Sequence, residues 1–454
     1  MPKLRKSPCR YRSRFLGLLS LVGALAPSAA SAAESAPPTG PLDLASAVEI
    51  ALRENPSARE SEARVAAAKA AQTQAQAGFW PRAELKVGYS GTNNPAYSFF
   101  NILNQRAFSP TIDFNDVDAT DDFQASGNIE MPLFMGMKRF AAGDAAEHGL
   151  AAAEASGQIT EAELATQVGR AWFGVHKARD FVVAAKAAVD AFEQNLELAK
   201  RREAGGTLLR QAVLEIEVGL AQAQENLSRA QNGEALALAG LRALLGLRGN
   251  AALDVAALET VPLPSDARKE RPELTAAAAA VRAAESAVGI EKADWYPQVG
   301  LTASLIYDRG VFANDGDMLS YMAGIGASWR IWDGMLTAGK VEAAEARVAE
   351  LRAQHARAEL GMDFQVEQAR IKARDAETRV EVSAKAISLA EESVQLARAR
   401  FGEGLAVPTQ LVDAETALTG ARIRHAEAKT DLQIAHLELR RALGLSPVPH
   451  GDAR

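Results

Sequence analysis

The apolar residues of four segments follow a period of two, which is typical of β-strands with one apolar face. This alternation predicts one strand pair within about residues 82–134 and a second within about residues 298–332. In the second pair, the predicted apolar face comprises Val299, Leu301, Ala303, Leu305, Tyr307, Tyr321, Ala323, Ile325, Ala327, Trp329 and Ile331. Each strand is therefore expected to present one apolar and one polar face.

A period of seven residues follows each strand pair and predicts a very long helix, over residues 137–203 and 335–401. At 1.5 Å per residue, each helix would be roughly 100 Å long. The apolar ladders are Val168, Val175, Val182, Val189 and Leu196 in the first helix and Val366, Val380, Ile387, Val394 and Phe401 in the second. A further ladder of Val382, Leu389 and Leu396 lies two positions away. We therefore expect two coiled-coil seams on this helix, one towards each neighbour.

The two sets of elements are copies of one unit. Phe79-Trp80-Pro81 recurs 216 residues later as Trp295-Tyr296-Pro297, and Leu245-Gly246-Leu247 recurs 198 residues later as Leu443-Gly444-Leu445. A constant offset over a long stretch indicates an internal repeat. The difference between the offsets places an insertion of 18 residues in the first copy, within residues 82–135. We expect this insertion to form a polar loop.

The first 33 residues have the pattern of a secretory signal peptide. Met1–Arg14 contains six basic residues and no acidic one, and the apolar run Phe15–Ala26 that follows is too short to span a bilayer. Ala30-Ser31-Ala32 fits a signal cleavage site. We therefore expect an exported protein, with a short N-terminal membrane anchor as the alternative.

Charge and cysteine content narrow the functional classes. The 454-residue chain carries a formal charge of −7, and loss of a signal with six basic residues would leave about −13. This balance argues against nucleic acid as a partner. The only cysteine, Cys9, lies in the predicted signal, so the exported part has no disulfide or thiol nucleophile. Past Ala33 no apolar run reaches the length of a transmembrane helix.

These patterns give an organisation of two tandem repeats. Residues 34–41 link the signal peptide to repeat one at 42–247, and residues 248–270 link this to repeat two at 271–445. Residues 446–454 form a C-terminal tail. Each repeat is expected to contain a helix, a strand pair, a long helix, a glycine-containing turn and a return helix.

The alternating strands with flanking aromatic residues fit a membrane β-barrel, although a soluble sheet uses the same alternation. Trp80, Trp295 and Tyr296 are expected at one end of the strands, and Trp332 at the other. In lipid every backbone polar group needs a partner, and the smallest barrels have eight strands. Four strands leave two open edges, so if they enter a membrane, several chains must combine them.

The sequence resembles the TolC-like outer membrane efflux family (the outer membrane factors) over essentially the whole exported chain. Leu42–Ala47 through Asn55-Pro56 is similar to the N-terminal helix motif of that family, and Arg400–Gly404 through Leu411–Glu415 is similar to its periplasmic tip motif. The resemblance implies a mainly α fold with β, with long antiparallel coiled-coil helices and four transmembrane strands per chain. It implies a homotrimer with a twelve-stranded β-barrel in outer-membrane lipid and a twelve-helix α-barrel across the periplasm. Its implied partners are a periplasmic adaptor (membrane fusion protein) and an inner-membrane pump.

The resemblance also implies a pore gate at the helix tips. Asp413 falls where the family carries a pore-narrowing acid, and Gln410 falls where some members carry a second acid. Glu215 is the repeat equivalent of Asp413. A ring of carboxylates around a symmetry axis would narrow the pore and attract cations. Alternatively, Asp413 and Glu215 are helix-start residues placed by the helix dipole.

The tip turns resemble the adaptor-docking surface of the family. They comprise Gly206, Thr207 and Leu208 in repeat one and Gly404, Leu405, Ala406 and Val407 in repeat two. Exposed apolar residues after the glycines would favour a docking role, whereas residues that only close the hairpins would not. Glu203 stands where the family usually has an aromatic residue, so we expect the first tip to dock differently from the second.

The remaining candidate chemistry is weak. An acidic loop within residues 113–122 (Asp113, Asp116, Asp118, Asp121 and Asp122) is better explained as solvated than as a cation site. The scattered histidines are His148, His176, His355, His425, His436 and His450, and they lack metal-ligand spacing. No nucleophile elbow, phosphate loop or dinucleotide fingerprint occurs, so we expect no catalysis, metal or cofactor.

We therefore predict the outer-membrane channel of an efflux or secretion system, a passive duct gated by an iris of helix tips. The alternative is a periplasmic coiled-coil protein, either an adaptor or an adhesin. An adaptor should have one helical hairpin within β-rich domains, and an adhesin should lack the strand pairs.

Overall fold

A computed structural model describes residues 40–249, 252–265, 268–313 and 315–448. The predicted signal peptide, most of the first linker and the end of the C-terminal tail lie outside these residues. The order of the elements follows the two predicted copies.

Repeat one contains α1 (Leu44–Glu54), α2 (Pro56–Gln76), β1 (Arg82–Thr92), α3 (Pro95–Asn104), β2 (Thr120–Met135), α4 (Lys138–Ala204) and α5 (Arg210–Leu244). Repeat two contains α6 (Pro272–Lys292), β3 (Gln298–Arg309), β4 (Asp317–Ser328), α7 (Leu336–Glu403) and α8 (Pro408–Ala442). Both long helices begin and end within two residues of their predicted bounds, so the mainly helical, two-repeat fold is confirmed. No described helix is long and apolar enough to cross a membrane.

Matched backbone turns start the two long helices. Met137 before α4 and Met335 before α7 both adopt the left-handed conformation, with φ of 70° and 72°. Each follows a glycine with positive φ, Gly136 at 61° and Gly334 at 69°. A Cβ atom on Gly136 would lie 2.4 Å from the carbonyl oxygen of Ala293. Repeat one therefore needs glycine here for both its backbone angles and its close packing against repeat two.

The heptad ladders separate into a buried and an exposed set. Val366, Val394 and Phe401 of the first ladder are 3%, 4% and 0% exposed. By contrast, Val382, Leu389 and Leu396, which we call the outer seam, are 59%, 68% and 56% exposed. One seam of α7 is thus buried within the chain, whereas the outer seam is exposed.

The four strands form one antiparallel sheet in the order β1-β2-β3-β4, with β1 and β4 at its edges. The faces alternate as predicted. One face carries large exposed apolar side chains, including Leu85, Val87, Tyr321 and Ile325. The other face carries polar residues such as Glu84, Lys86, Gln124, Ser126 and Asn128.

The predicted position of Trp332 at the opposite end of the strands is wrong. Gln298 pairs with Ser328, so the end of β4 lies beside the start of β3. An antiparallel hairpin returns the chain to the end at which it started. Trp332 therefore lies at the same end as Trp80 and Trp295, beside the long helices. Trp80, Trp295, Tyr296 and Trp332 are 70%, 48%, 54% and 74% exposed. Strand β4 also ends before Trp329 and Ile331, which were assigned to it.

The inserted segment of repeat one is more ordered than a polar loop. It contains helix α3, whose N-cap Asn94 accepts hydrogen bonds from the N–H groups of Ala96 and Tyr97. The prediction of a solvated acidic loop was also only partly correct, because Asp121 and Asp122 lie within β2 and are 5% and 7% exposed. Only Asp113, Asp116 and Asp118 have the exposure expected of a solvated loop.

The largest core lies where α1 packs against the middle of α4. Trp172 and Phe173 are fully buried there, and the indole Nε1 of Trp172 donates to the Leu42 carbonyl oxygen at 3.2 Å. The His176 ring lies 4.3 Å from that of Trp172, and its Nε2 has no hydrogen-bond partner among the described residues. Burial lowers the pKa of His176, and the nearby Arg179 guanidinium lowers it further.

We expect His176 to make folding sensitive to mild acid. Its folded pKa lies below the unfolded value of about 6.5, so stability is retained above that pH and falls as the pH is lowered through it. The melting temperature should therefore fall between pH 7.5 and pH 5, and His176→Phe should reduce that fall. His148→Phe, on the same helix, is the control. Equal acid sensitivity in both variants would place the effect elsewhere, for example at His425, whose pKa burial also lowers.

Candidate gating and docking site at the helix tips

The two long hairpins end in turns of the same geometry. Gly206 and Gly404 adopt φ of 71° and 83°. The N–H of Thr207 donates to the Arg202 carbonyl at 2.9 Å, and that of Leu405 donates to the Arg400 carbonyl at 2.8 Å. These six-residue closures are Schellman caps, which favour glycine in the left-handed position. The tips of α4–α5 and α7–α8 therefore share one backbone design.

The apolar residues of these turns are only partly exposed. Leu405 and Val407 are 74% and 55% exposed, as a docking role requires. Leu208 and Ala406 are half-buried against the apolar cluster at the tips. The exposed apolar residue of the first tip is instead Leu209, at 76%, which is not among the predicted docking residues. The assignment of both turns to adaptor docking stays a prediction.

The two tips differ at the equivalent positions 203 and 401. Phe401 is fully buried, and the Arg202 guanidinium lies 5.2 Å from its ring centroid and donates to its carbonyl oxygen. Its repeat equivalent, Glu203, forms an ion pair with Arg210 at 3.6 Å instead. Phe401 of the second tip thus joins the two hairpins through its contacts with Arg202, whereas the first tip has an ion pair at the equivalent position.

The predicted gate residues lie on two different helices. Asp413 and Gln410 are exposed on α8. Glu215 is half-buried on α5, where it accepts a hydrogen bond from Gln211 Nε2 at 3.2 Å. No hydrogen bond or ion pair between described residues joins Glu215 to Asp413 or Gln410. The described residues also contain no group of three or more His, Cys, Asp or Glu that could hold a metal ion. A ring made by these side chains needs further copies of the chain, so the gate stays a prediction.

The predicted site residues do not include Glu415, a buried carboxylate near the tip. Glu415 is 2% exposed and forms an ion pair with Arg398 Nη2 at 2.6 Å. It also accepts from Arg398 Nε at 2.7 Å and from Asn195 Nδ2 at 3.1 Å. We call these three residues the tip latch, because they tie α8 to both α7 and α4. A buried charge is tolerated only when it is paired and hydrogen-bonded in this way.

Repeat one carries a weaker version of the tip latch. Glu217, the repeat equivalent of Glu415, lies 3.5 Å from Lys200 and 3.7 Å from Arg210. Its side chain is 32% exposed, against 3% for Glu415. Lys200 is the repeat equivalent of Arg398, so the recurring basic–acidic pair was a signal available in the sequence. Ser393, the equivalent of Asn195, lies exposed on α7.

Solved outer-membrane channels share this architecture. VceC of Vibrio cholerae is 22% identical with a TM-score of 0.74, over 89% of this chain and 97% of VceC. CmeC of Campylobacter jejuni is 13% identical with a TM-score of 0.74, over 98% of this chain and 94% of CmeC. MtrE of Neisseria gonorrhoeae, solved in an open state, is 16% identical with a TM-score of 0.70, over 89% of each chain. At these identities the likeness shows the fold.

Sequence comparison gives the family. No curated protein matches the chain significantly. The family model described as outer membrane efflux protein matches residues 47–247 and 263–445. These segments end at the same residues as the two predicted repeats. The protein belongs to the outer membrane efflux protein family.

Proposed function

We propose that this protein is the outer-membrane channel of a tripartite efflux or secretion system, a passive duct across the periplasm and the outer membrane. The observation that carries the proposal is that a single chain leaves surfaces uncovered. Its sheet has two open edges and an exposed apolar face, and its longest helix has an open apolar seam. A protein that works alone in water would bury such surfaces.

Three copies close both surfaces. Four strands from each chain give twelve, which exceeds the smallest barrel size and pairs the edge of β4 with β1 of the next copy. The outer seam of α7 then faces α5 of the next copy, where Leu214, Val218 and Leu236 are 46%, 69% and 74% exposed. This contact between copies repeats the contact that α4 makes with α8 within one chain.

The apolar face of the sheet supports a position in lipid. Leu85, Val87, Tyr321 and Ile325 are 76%, 62%, 84% and 70% exposed on that face. In a closed barrel they contact outer-membrane lipid, and the polar face lines the lumen. The exposed aromatic residues beside the helices then lie at the periplasmic interface, where tryptophan and tyrosine are favoured.

The helix tips then point into the periplasm. Asp413 and Gln410 on α8, with Glu215 on α5, supply the polar residues of an iris that narrows the pore. The exposed Leu405 and Val407 are suited to a periplasmic adaptor, through which an inner-membrane pump supplies the energy. A protein that is itself an adaptor would need one helical hairpin within β-rich domains, whereas the described residues of this chain form two long helical hairpins and one four-stranded sheet.

Expression with its N-terminal segment, followed by membrane fractionation and native mass measurement, tests the proposal. We expect the protein in the outer membrane, with the detergent-extracted species having the mass of three chains. A soluble periplasmic monomer would overturn it. Purified trimers should also form pores in planar bilayers, with no added nucleotide or cofactor.

A further inference from the structure

We infer that helix α3 lies inside the lumen at the extracellular end of the barrel and forms a second constriction there. The inference rests on the proposed function, since a lumen exists only in the assembled channel. It places a narrowing at the end of the duct opposite to the helix tips.

The first step is the position of α3 along the sheet. It joins the end of β1 to the start of β2, where Thr92 pairs with Thr120. The long helices join the sheet at its other end, at Arg82 and Met135. Because the long helices extend into the periplasm, α3 lies at the extracellular mouth.

The second step is the face of the sheet on which α3 packs. Ser98 Oγ lies 3.1 Å from Thr120 Oγ1, and Gln105 Nε2 donates to Asp122 Oδ1 at 3.2 Å. Thr120 and Asp122 share their face of β2 with Gln124, the next residue in the alternation. This is the polar face, opposite to the apolar side chains that contact lipid. A helix on the polar face of a closed barrel is inside it.

The third step is that α3 is held firmly in place. Gln105 is fully buried, and its Nε2 also donates to the Asp121 carbonyl oxygen at 2.6 Å. A Cβ atom on Gly316, in the β3–β4 loop, would lie 2.0 Å from the Gln105 carbonyl oxygen. The Asp121 carboxylate accepts hydrogen bonds from three successive N–H groups of that loop, at Val311, Phe312 and Ala313, at 2.9, 2.9 and 2.7 Å. The two extracellular loops are therefore interlocked.

The side of α3 that faces away from the sheet is apolar. Tyr97, Phe100 and Leu103 are 67%, 59% and 39% exposed, whereas Ser98 and Ile102 on the other side are 0% and 4% exposed. We assign this apolar side to contacts with α3 of the other two copies. Threefold symmetry turns the three apolar sides towards one axis, and removing them from water is favourable. Apolar constrictions of this kind close pores by excluding water.

Planar-bilayer recording of purified trimers tests the inference. The combined variant Tyr97→Ser, Phe100→Ser and Leu103→Ser keeps the buried side of α3, and we expect its conductance to rise at least about twofold. In a separate Phe100→Cys channel, a charged, membrane-impermeant thiol reagent added from the extracellular side should change the conductance. Val87→Cys, on the lipid-facing side, is the matched control and should not respond. Cys9 is the only other cysteine and lies in the predicted signal peptide, so background labelling is small.

The outcomes separate this inference from the proposed function. Pores that form normally, with unchanged conductance in the serine variant and no response of Phe100→Cys, would place α3 outside the lumen and overturn the inference alone. If the wild-type protein forms no pores, the proposed function itself fails. If the serine variant does not assemble, the comparison of Phe100→Cys with Val87→Cys decides.

Discussion

Replacing Leu389 with aspartate is expected to abolish the trimer while leaving the single chain folded. Leu389 is 68% exposed in the chain, so the change removes no internal packing. In the proposed trimer it is the central residue of the outer seam, and an unpaired carboxylate buried there costs at least ~3 kcal/mol. Since each 1.4 kcal/mol is a factor of ten, the association constant of each seam should fall by more than about 100-fold.

Native mass measurement and circular dichroism check this result together. Leu389→Asp should give monomers with unchanged helix content. Ser388→Asp is the matched control, because it adds the same charge at the adjacent exposed position, away from both seams, and should keep the trimer. A Leu389→Asp protein that remains trimeric would show that the outer seam faces solvent in the assembly.

Replacing Glu415 with alanine is expected to loosen the helix tips. The change leaves Asn195, which is 4% exposed, without its acceptor, and such a buried donor costs about 1–3 kcal/mol. The Arg398 side chain is 39% exposed and can regain water, so it adds little. In the proposed iris, with the tip latch formed only in the closed state, a loss of ~2 kcal/mol would shift the balance between closed and open tips by roughly 30-fold in each copy. We therefore expect higher conductance together with a lower melting temperature.

Two further variants separate the tip latch from the predicted gate ring. Glu415→Gln keeps an oxygen acceptor for Asn195 and should lie between wild type and Glu415→Ala. Asp413→Ala removes an acid of the predicted ring that narrows the pore, so it should raise leak conductance. Because Asp413 is exposed, the change should not lower the melting temperature. Wild-type conductance and stability in Glu415→Ala would contradict a closing role for the latch. Unchanged conductance in a correctly assembled Asp413→Ala trimer would count against Asp413 as a gate.

The elements that could be predicted from the sequence are those with a local, periodic cause. The heptad ladders predicted both long helices because the buried positions of a packed helix recur in a heptad pattern, whichever partner covers them. The alternation placed the strands and assigned their faces for the same reason. The constant repeat offset then gave matched turns at Gly206 and Gly404, where left-handed backbone and a Schellman cap are set by neighbouring residues.

The features that were missed or misplaced depend on contacts between distant parts of the chain. Glu415 entered the sequence-based interpretation only as the end of the tip motif, and its burial arises because the fold brings it to Asn195, 220 residues away. Asp121 looked like part of a solvated loop, although it caps a turn 190 residues later in the chain. Trp332 was misplaced because the direction of a returning strand is a property of the hairpin and not of any single segment.

The sequence by itself therefore determined the two repeats, the long helices, the four two-faced strands and the likeness to outer-membrane efflux proteins. Only the tertiary structure decided which seam is filled within the chain, which carboxylates are buried, and on which face of the sheet α3 packs. The physical reason is that periodicity records how each residue is buried, whereas the identity of its partner is fixed only when distant segments meet.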